Sequence, residues 1–376
     1  MMKSTTFAWL AAGLLFSFHM TAFAADITVQ TGISYQSWTS DEDESGSQLY
    51  IPIQFNSDHE RLSWNLAAGY AATSGELAGA SDRSISGMLD TQAGVTYLVP
   101  DLGGIDWLVG LDLNLPTGQT GKDERDVRLM IDPDLVDIVS PGQGFNANPT
   151  LSLARRWDQW TVGLGLGYAY QGKYDYSEQT RDYDPGDIFS AAAQVDYDFA
   201  QAWKWSLQAQ YLTMGMDQAE DEDLLQKGDT WTAGTTLRRS DRTWELGLSV
   251  QGIFRGKAKV KNASGALATE ARNSQGDEWL ATLDGRYQWR PRTGFTAELA
   301  YLYLAENGYE IGSAYYMGER RKISLDLGWL QQLGDTLDLR CTLGGFSMDD
   351  DTNWLHPDGN RLYQGWSLAA YLAKRF

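Results

Sequence analysis

The chain has 376 residues and a formal charge of −20 at neutral pH, from 50 acidic against 30 basic residues. That acidity disfavours a nucleic-acid partner, whose phosphates demand the opposite sign. The one cysteine, Cys341, excludes an internal disulfide framework, and no run of about 18 apolar residues follows the first two dozen, which excludes helical membrane spans.

At the N-terminus, Lys3 precedes a short apolar stretch from Phe7 to Phe18 and a small-x-small motif, Ala22-Phe23-Ala24. This is the pattern of a secretory signal peptide over residues 1–24, too short and wrongly flanked for a span. No cysteine follows to accept a lipid anchor. The mature chain is expected to occupy residues 25–376 as one domain.

From there the chain alternates with period 2. Leu62, Trp64, Leu66, Ala68 and Tyr70 oppose Ser63, Asn65, Ala67 and Gly69. Trp160, Val162, Leu164, Leu166 and Tyr168 oppose Thr161, Gly163, Gly165 and Gly167. Trp244, Leu246, Leu248 and Val250, and later Ile323, Leu325, Leu327 and Trp329, repeat the pattern. About sixteen such segments can be marked, an even number as a single-chain bacterial barrel requires. They fall at 27–38, 48–56, 61–72, 88–99, 106–115, 147–157, 159–171, 187–199, 203–216, 229–239, 243–256, 278–289, 294–305, 321–331, 336–347 and 362–376. The fold class is therefore all-β: a transmembrane antiparallel up-and-down barrel with short periplasmic turns and long extracellular loops.

Loop lengths and aromatics give independent support. Short connections at 57–60, 200–202, 240–242 and 332–335 alternate with long ones at 73–87, 116–146, 172–186, 257–277 and 306–320. Trp160, Trp205 and Trp244 begin strands after short turns, whereas Trp157, Trp289 and Trp329 end strands before them. All six are expected at one membrane boundary, as an aromatic girdle. The last strand, ending on Phe376, resembles the sorting signature of outer-membrane barrels; Lys374 stands where that signature has an apolar residue. The expected partners are outer-membrane lipid and lipopolysaccharide, the barrel-assembly machinery and a small-molecule solute. Acidic loop stretches at Asp41–Glu44, Glu220–Asp223 and Asp349–Asp351 read first as solvated tips, and second as sites for divalent cations shared with lipopolysaccharide phosphates.

Parity turns Gly163, Gly165 and Gly167 inward as a smooth wall, together with the charged residues Asp196, Asp198, Arg238, Glu245, Arg286, Glu298, Asp326 and Arg340. These eight are the candidate channel-lining groups. Arg286, Glu298, Asp326 and Arg340 come from four consecutive strands and are expected to form a ladder of cross-strand pairs, a structural role that is compatible with setting the field across a pore. Loop 116–146 carries Lys122, Asp123, Glu124, Arg125, Asp126 and Arg128, then aliphatics at Leu129, Met130, Ile131, Leu135, Val136, Ile138 and Val139. A loop of roughly thirty residues is usually functional or disordered. So many aliphatics predict that it folds into the barrel mouth, with the charged stretch as a candidate constriction.

Leu111-Asp-Leu-Asn-Leu-Pro-Thr-Gly118, Phe145-Asn-Ala-Asn-Pro149, Ser152-Leu-Ala-Arg-Arg-Trp157 and Gly163-Leu-Gly-Leu-Gly-Tyr168 resemble the outer-membrane transporters grouped with the phenol-degradation MetA-like proteins. Those are distantly similar to FadL-type channels, although no plug segment precedes the first strand here. The resemblance covers roughly residues 107–211. It implies a barrel that takes up small, often apolar or aromatic compounds, and it supplies no catalytic residues.

The expected function is passive or selective diffusion of small solutes. The alternative is a structural sheath or scaffold around a partner. A hydrolase is the weaker reading: the mature chain has only His59, in a short turn, and His356, in the last external loop, and neither sits on a strand face beside a serine. No cofactor is expected, since no Cys/His spacing suits a metal or haem.

Overall fold

The structure is a computed structural model that describes residues 26–76, 83–130, 132–200, 202–262, 264–352 and 359–376. The expected signal peptide, His356 and Ile131 lie outside the described residues.

Strands follow in the order β1 (Asp26–Ser40), β2 (Ser45–His59), β3 (Leu62–Glu76), β4 (Arg83–Met88), β5 (Thr91–Val99), β6 (Asp106–Leu115), β7 (Asn146–Trp157), β8 (Trp160–Gln171), β9 (Tyr183–Asp184), β10 (Ile188–Ala200) and β11 (Trp203–Met214). Then come β12 (Met216–Ala219), β13 (Glu222–Gln226), β14 (Thr230–Ser240), β15 (Trp244–Arg255), β16 (Lys259–Lys261), β17 (Leu267–Thr269), β18 (Glu278–Arg290), β19 (Thr293–Leu304), β20 (Arg320–Gln332), β21 (Leu337–Asp350) and β22 (Arg361–Arg375). Among the described residues the one α-helix, α1 (Glu124–Val127), lies between β6 and β7 and runs on into a 3-10 turn, Arg128–Met130.

Seventeen of these strands form one antiparallel sheet, and it closes: β1 pairs with β2 on one side and with β22 on the other. Both β4 and β5 pair with β3, one above the other, so they are two halves of a single stave and the barrel has sixteen. Closure removes the free edges that an open sheet exposes. Phe376 N–H bonds to the Ile27 carbonyl at 2.9 Å, bringing the two ends of the barrel strands together at the short-turn rim.

Every expected strand is present. The strands overrun their expected ends on the long-loop side: β1 and β2 leave only residues 41–44 between them, and β21 runs on to Asp350. Staves of 12–15 residues are roughly 40–50 Å long. Even when tilted by about 40°, they are taller than an apolar band of about 25 Å, so they stand proud of the membrane. There, long loops contribute a second sheet of five short strands, ordered β17–β16–β13–β12–β9, in connections where no strand is expected from the sequence.

Burial alternates as the period-2 pattern requires. Leu164, Leu325 and Leu368 are 54%, 47% and 53% exposed on the outer face, where water would make them costly and hydrocarbon does not. Trp157, Trp160, Trp289 and Trp329 are exposed on that face near the short turns. There the Arg239 guanidinium lies between Trp203 and Trp244, 5.4 and 4.8 Å from their ring centroids. The chain is thus a transmembrane β-barrel of the bacterial outer membrane. Asp101 and Asp158 take positive φ, 53° each, in short turns, a conformation that aspartate tolerates better than most residues.

Candidate functional site: the lumen and its inner loop

The connection from β6 to β7 lies inside the barrel. Its aliphatics do what a solvated loop could not. Leu129, Met130 and Ile138 form a buried cluster with Ala71 of β3 and Ile85 of β4, flanked by Tyr50, Leu89 and Val127. Leu135 packs against Trp38, Met348 and Tyr363, which come from β1, β21 and β22.

Polar straps fix the same segment to an arc of wall. On β2, the Gln48 amide bonds both backbone atoms of Ile138, at 2.7 and 2.8 Å. On β20, Arg320 is buried and pairs with Asp132 at 2.8 Å, Asp134 at 2.7 Å and Asp350 at 2.7 Å, while Lys322 donates to the Asp134 carbonyl at 2.7 Å. Asp90 sits where β4 and β5 break. Its N–H donates to the Pro141 carbonyl at 3.1 Å, and its carboxylate accepts from Gly118 N at 2.8 Å, Gln143 N at 2.6 Å and Asn114 Nδ2 at 2.7 Å. The break frees this aspartate from the ladder to hold both ends of the loop. Asp350, expected in a solvated acidic tip, is instead a buried partner of Arg320.

The charged stretch Lys122–Arg128 occupies the outer part of the loop. Asp123 caps α1 by accepting from Arg125 N at 2.9 Å, and the Arg125 guanidinium and N–H beside it hold its carboxyl well below the usual range. Asp126 pairs with Arg83 at 2.8 Å and Arg128 lies 3.6 Å from Glu124. The Lys122 carbonyl accepts from Glu178 N at 2.9 Å, tying the stretch to the loop after β8. None of these residues lines the two lumenal cavities described next; the part of the loop that does is residues 137–143.

One cavity, of about 1190 Å³, is bounded by β14, β15 and β18–β22 with β1 and β2. Six of the eight expected lining residues meet in it: Arg238, Glu245, Arg286, Glu298, Asp326 and Arg340. Asp196 and Asp198 lie elsewhere, on β10 near the short-turn rim, paired with Lys204 at 2.8 Å and Arg156 at 3.3 Å.

The register replaces the expected ladder with a different arrangement. Asp284 stands directly opposite Glu298, and Glu298 directly opposite Asp326, so three carboxylates run side by side across β18, β19 and β20. Arg286 instead faces Glu245 and Thr296, and Arg340 faces Leu330 and Tyr371. Among the described residues, neither arginine is within 4.0 Å of a carboxylate. Adjacent like charges cost stability. At one end of the row Arg238 reaches Asp284 at 3.1 Å and also bonds Glu245, while Arg340 and Lys322 oppose the charge of the other end from beyond ion-pair distance. Asp137 of the loop adds a further carboxylate near Asp326; burial pushes its carboxyl up, Lys322 opposes that and Asp326 adds to it. Asp284 was missed in the sequence although it shares the inward parity of Arg286, two positions on.

A second cavity, of about 800 Å³, is bounded by β2, β3, β5–β8, β10, β11 and single residues of β14 and β15, with residues 138–143 of the loop; Tyr50 and Gln54 border both cavities. Gly163, Gly165 and Gly167 are in its wall as expected. Cys341 sits opposite Trp329 on the outer parity of β21, as expected. His59 closes the β2–β3 hairpin opposite Leu62.

Residues 18–217 match the family described as "Putative MetA-pathway of phenol degradation". Comparison with curated proteins gives no match. Similar solved structures include an outer membrane channel from Pseudomonas putida F1, at 12% identity and a TM-score of 0.40, covering 96% of this chain and 98% of that one. OccK7 of Pseudomonas aeruginosa is 11% identical with a TM-score of 0.48, over 94% and 99% of the two chains. OccAB4 of Acinetobacter baumannii is 9% identical with a TM-score of 0.47, over 95% and 99%.

Proposed function

Because the chain belongs to the family of the MetA pathway of phenol degradation, we propose that this barrel is an outer-membrane channel through which small solutes diffuse, apolar and aromatic compounds among them. The observation that carries the reading is the inner loop. Residues 132–143 are held against the lumenal wall by Gln48, Arg320 and Asp90, and they leave a cavity on either side rather than a filled core. A scaffold needs no such strapping of its own loop. A channel does, because a constriction selects only if it stays where it is.

In this reading residues 132–143 form the neck, and Lys122–Arg128 is the charged collar that anchors it at the mouth. Glu245, Arg286, Glu298, Asp326 and Arg340 set the field along one side of the path, with Arg238 and Asp284 as its offset end. Asp196 and Asp198 line the periplasmic exit. Passage involves no chemistry, and assembly uses the barrel-assembly machinery that folds such cylinders.

Conductance of the purified barrel in a planar bilayer tests this. Discrete current steps are expected. A barrel that inserts but stays electrically silent would support the scaffold instead.

A further inference from the structure

The two sides of the lumen differ in chemistry. Among the described residues, thirteen side-chain amides line the 800 Å³ cavity, and no lysine, arginine or histidine does. Of its three aspartates, Asp90 is committed to the loop, leaving Asp58 and Asp112. The other cavity is rich in both signs of charge.

We propose, resting on the channel reading above, that the amide-lined wall is a subsite for uncharged solutes bearing hydroxyl or carbonyl groups, and that it discriminates against anions. The side chains of Gln54, Asn56, Gln92 and Asn148 make no hydrogen bond to protein among the described residues, so their donors and acceptors face the lumen. A primary amide offers a donor and an acceptor together, which matches a hydroxyl that both gives and takes. A carboxylate entering this wall finds no cation to offset it and meets the field of Asp58 and Asp112, so it loses hydration without a charged partner.

Shape supports the same ligand class. Gly163, Gly165 and Gly167 carry no side chain into the cavity from β8, while Tyr50, Leu89, Ile138 and Val139 supply apolar surface. A cavity of about 800 Å³ lies in the range that holds small organic molecules. The fitting solute is small, uncharged and amphipathic: an apolar body with polar substituents at its edge.

The test is entry of labelled solutes into liposomes carrying the full-length barrel, using two probes of similar size: glucose and gluconate. Arbutin, an uncharged phenolic glucoside, adds an aromatic arm. Glucose and arbutin should enter several-fold faster than gluconate. Arbutin faster than glucose marks an aromatic preference, and equal rates mark hydroxyl recognition alone. Asn148→Lys and Gln208→Lys, each placing a cation in the amide wall, should raise gluconate entry several-fold and reduce the preference. Entry of no probe would overturn the channel reading itself. Equal entry of glucose and gluconate would overturn the subsite and leave the channel standing, and that comparison needs no variant to fold.

Discussion

The amide of Gln48 holds both polar backbone atoms of Ile138, 90 residues further along the chain: Nε2 donates to the carbonyl at 2.8 Å and Ile138 N donates to Oε1 at 2.7 Å. Gln48 is only 1% exposed and also donates to Thr73 Oγ1 at 2.8 Å. The side chain thus extends the β2 ladder inward by one rung and makes the loop part of the wall.

Gln48→Leu keeps the volume and removes the rung. Each buried backbone group left unpaired costs about 1–3 kcal/mol, which is enough to populate detached states of the loop. Single-channel recordings should show larger mean conductance and added open-state noise. A trace identical to the parent would mean that the aliphatic cluster alone fixes the loop.

Arg320 is the deeper strap. Removing one partner of a buried ion pair costs about 3–5 kcal/mol, and here Asp132, Asp134 and Asp350 would share the loss. Arg320→Met should lower the urea midpoint of the barrel in vesicles and expose the 132–143 segment to protease. Arg320→Lys should recover little, since a point charge cannot serve three carboxylates as a planar fork does.

The Asp137 carboxyl, pushed up by burial near Asp326, predicts a pH effect. A raised carboxyl takes up its proton at a higher pH than a free aspartate, so acidification removes negative charge beside the row Asp284, Glu298, Asp326 before it reaches the ordinary aspartate range. The cation-over-anion permeability ratio, read from reversal potentials, should fall in that upper window. In Asp137→Asn it should be lower at neutral pH and fall less across that window, because one of the carboxylates that titrate there is gone.

Parity is testable at Cys341. Its partner across the strands is Trp329, on the hydrocarbon side. Water-soluble maleimides should label it slowly in intact membranes and quickly after unfolding in detergent. Fast labelling in the membrane would reverse the inside–outside assignment of β21.

The sixteen staves were legible because a barrel writes its fold into every strand: each side chain meets either lipid or water, and the period-2 signal repeats at every stave. The position of the inner loop was legible from misplaced aliphatics such as Leu129 and Ile138. Register was not. Whether Glu298 faces Arg286 or Asp284 depends on strand stagger, which hydropathy does not encode at single-residue resolution. The break between β4 and β5 was hidden for another reason: Asp90 reads as an ordinary turn residue until the loop it binds is in place. The amide wall was present in the sequence as recurring Asn and Gln at inward parity, among them Gln54, Asn65, Gln92 and Asn148. It escaped attention because uncharged side chains carry no sign to search for.

Residues 132–143 occupy the lumen, and in the channel reading they set its width. Single-channel conductance of a barrel in which those residues are replaced by a short Gly-Ser linker measures this directly. A clear rise over the parent in the same salt is expected. Conductance that stays the same, from a variant that keeps its heat-resistant barrel migration on gels, would contradict it.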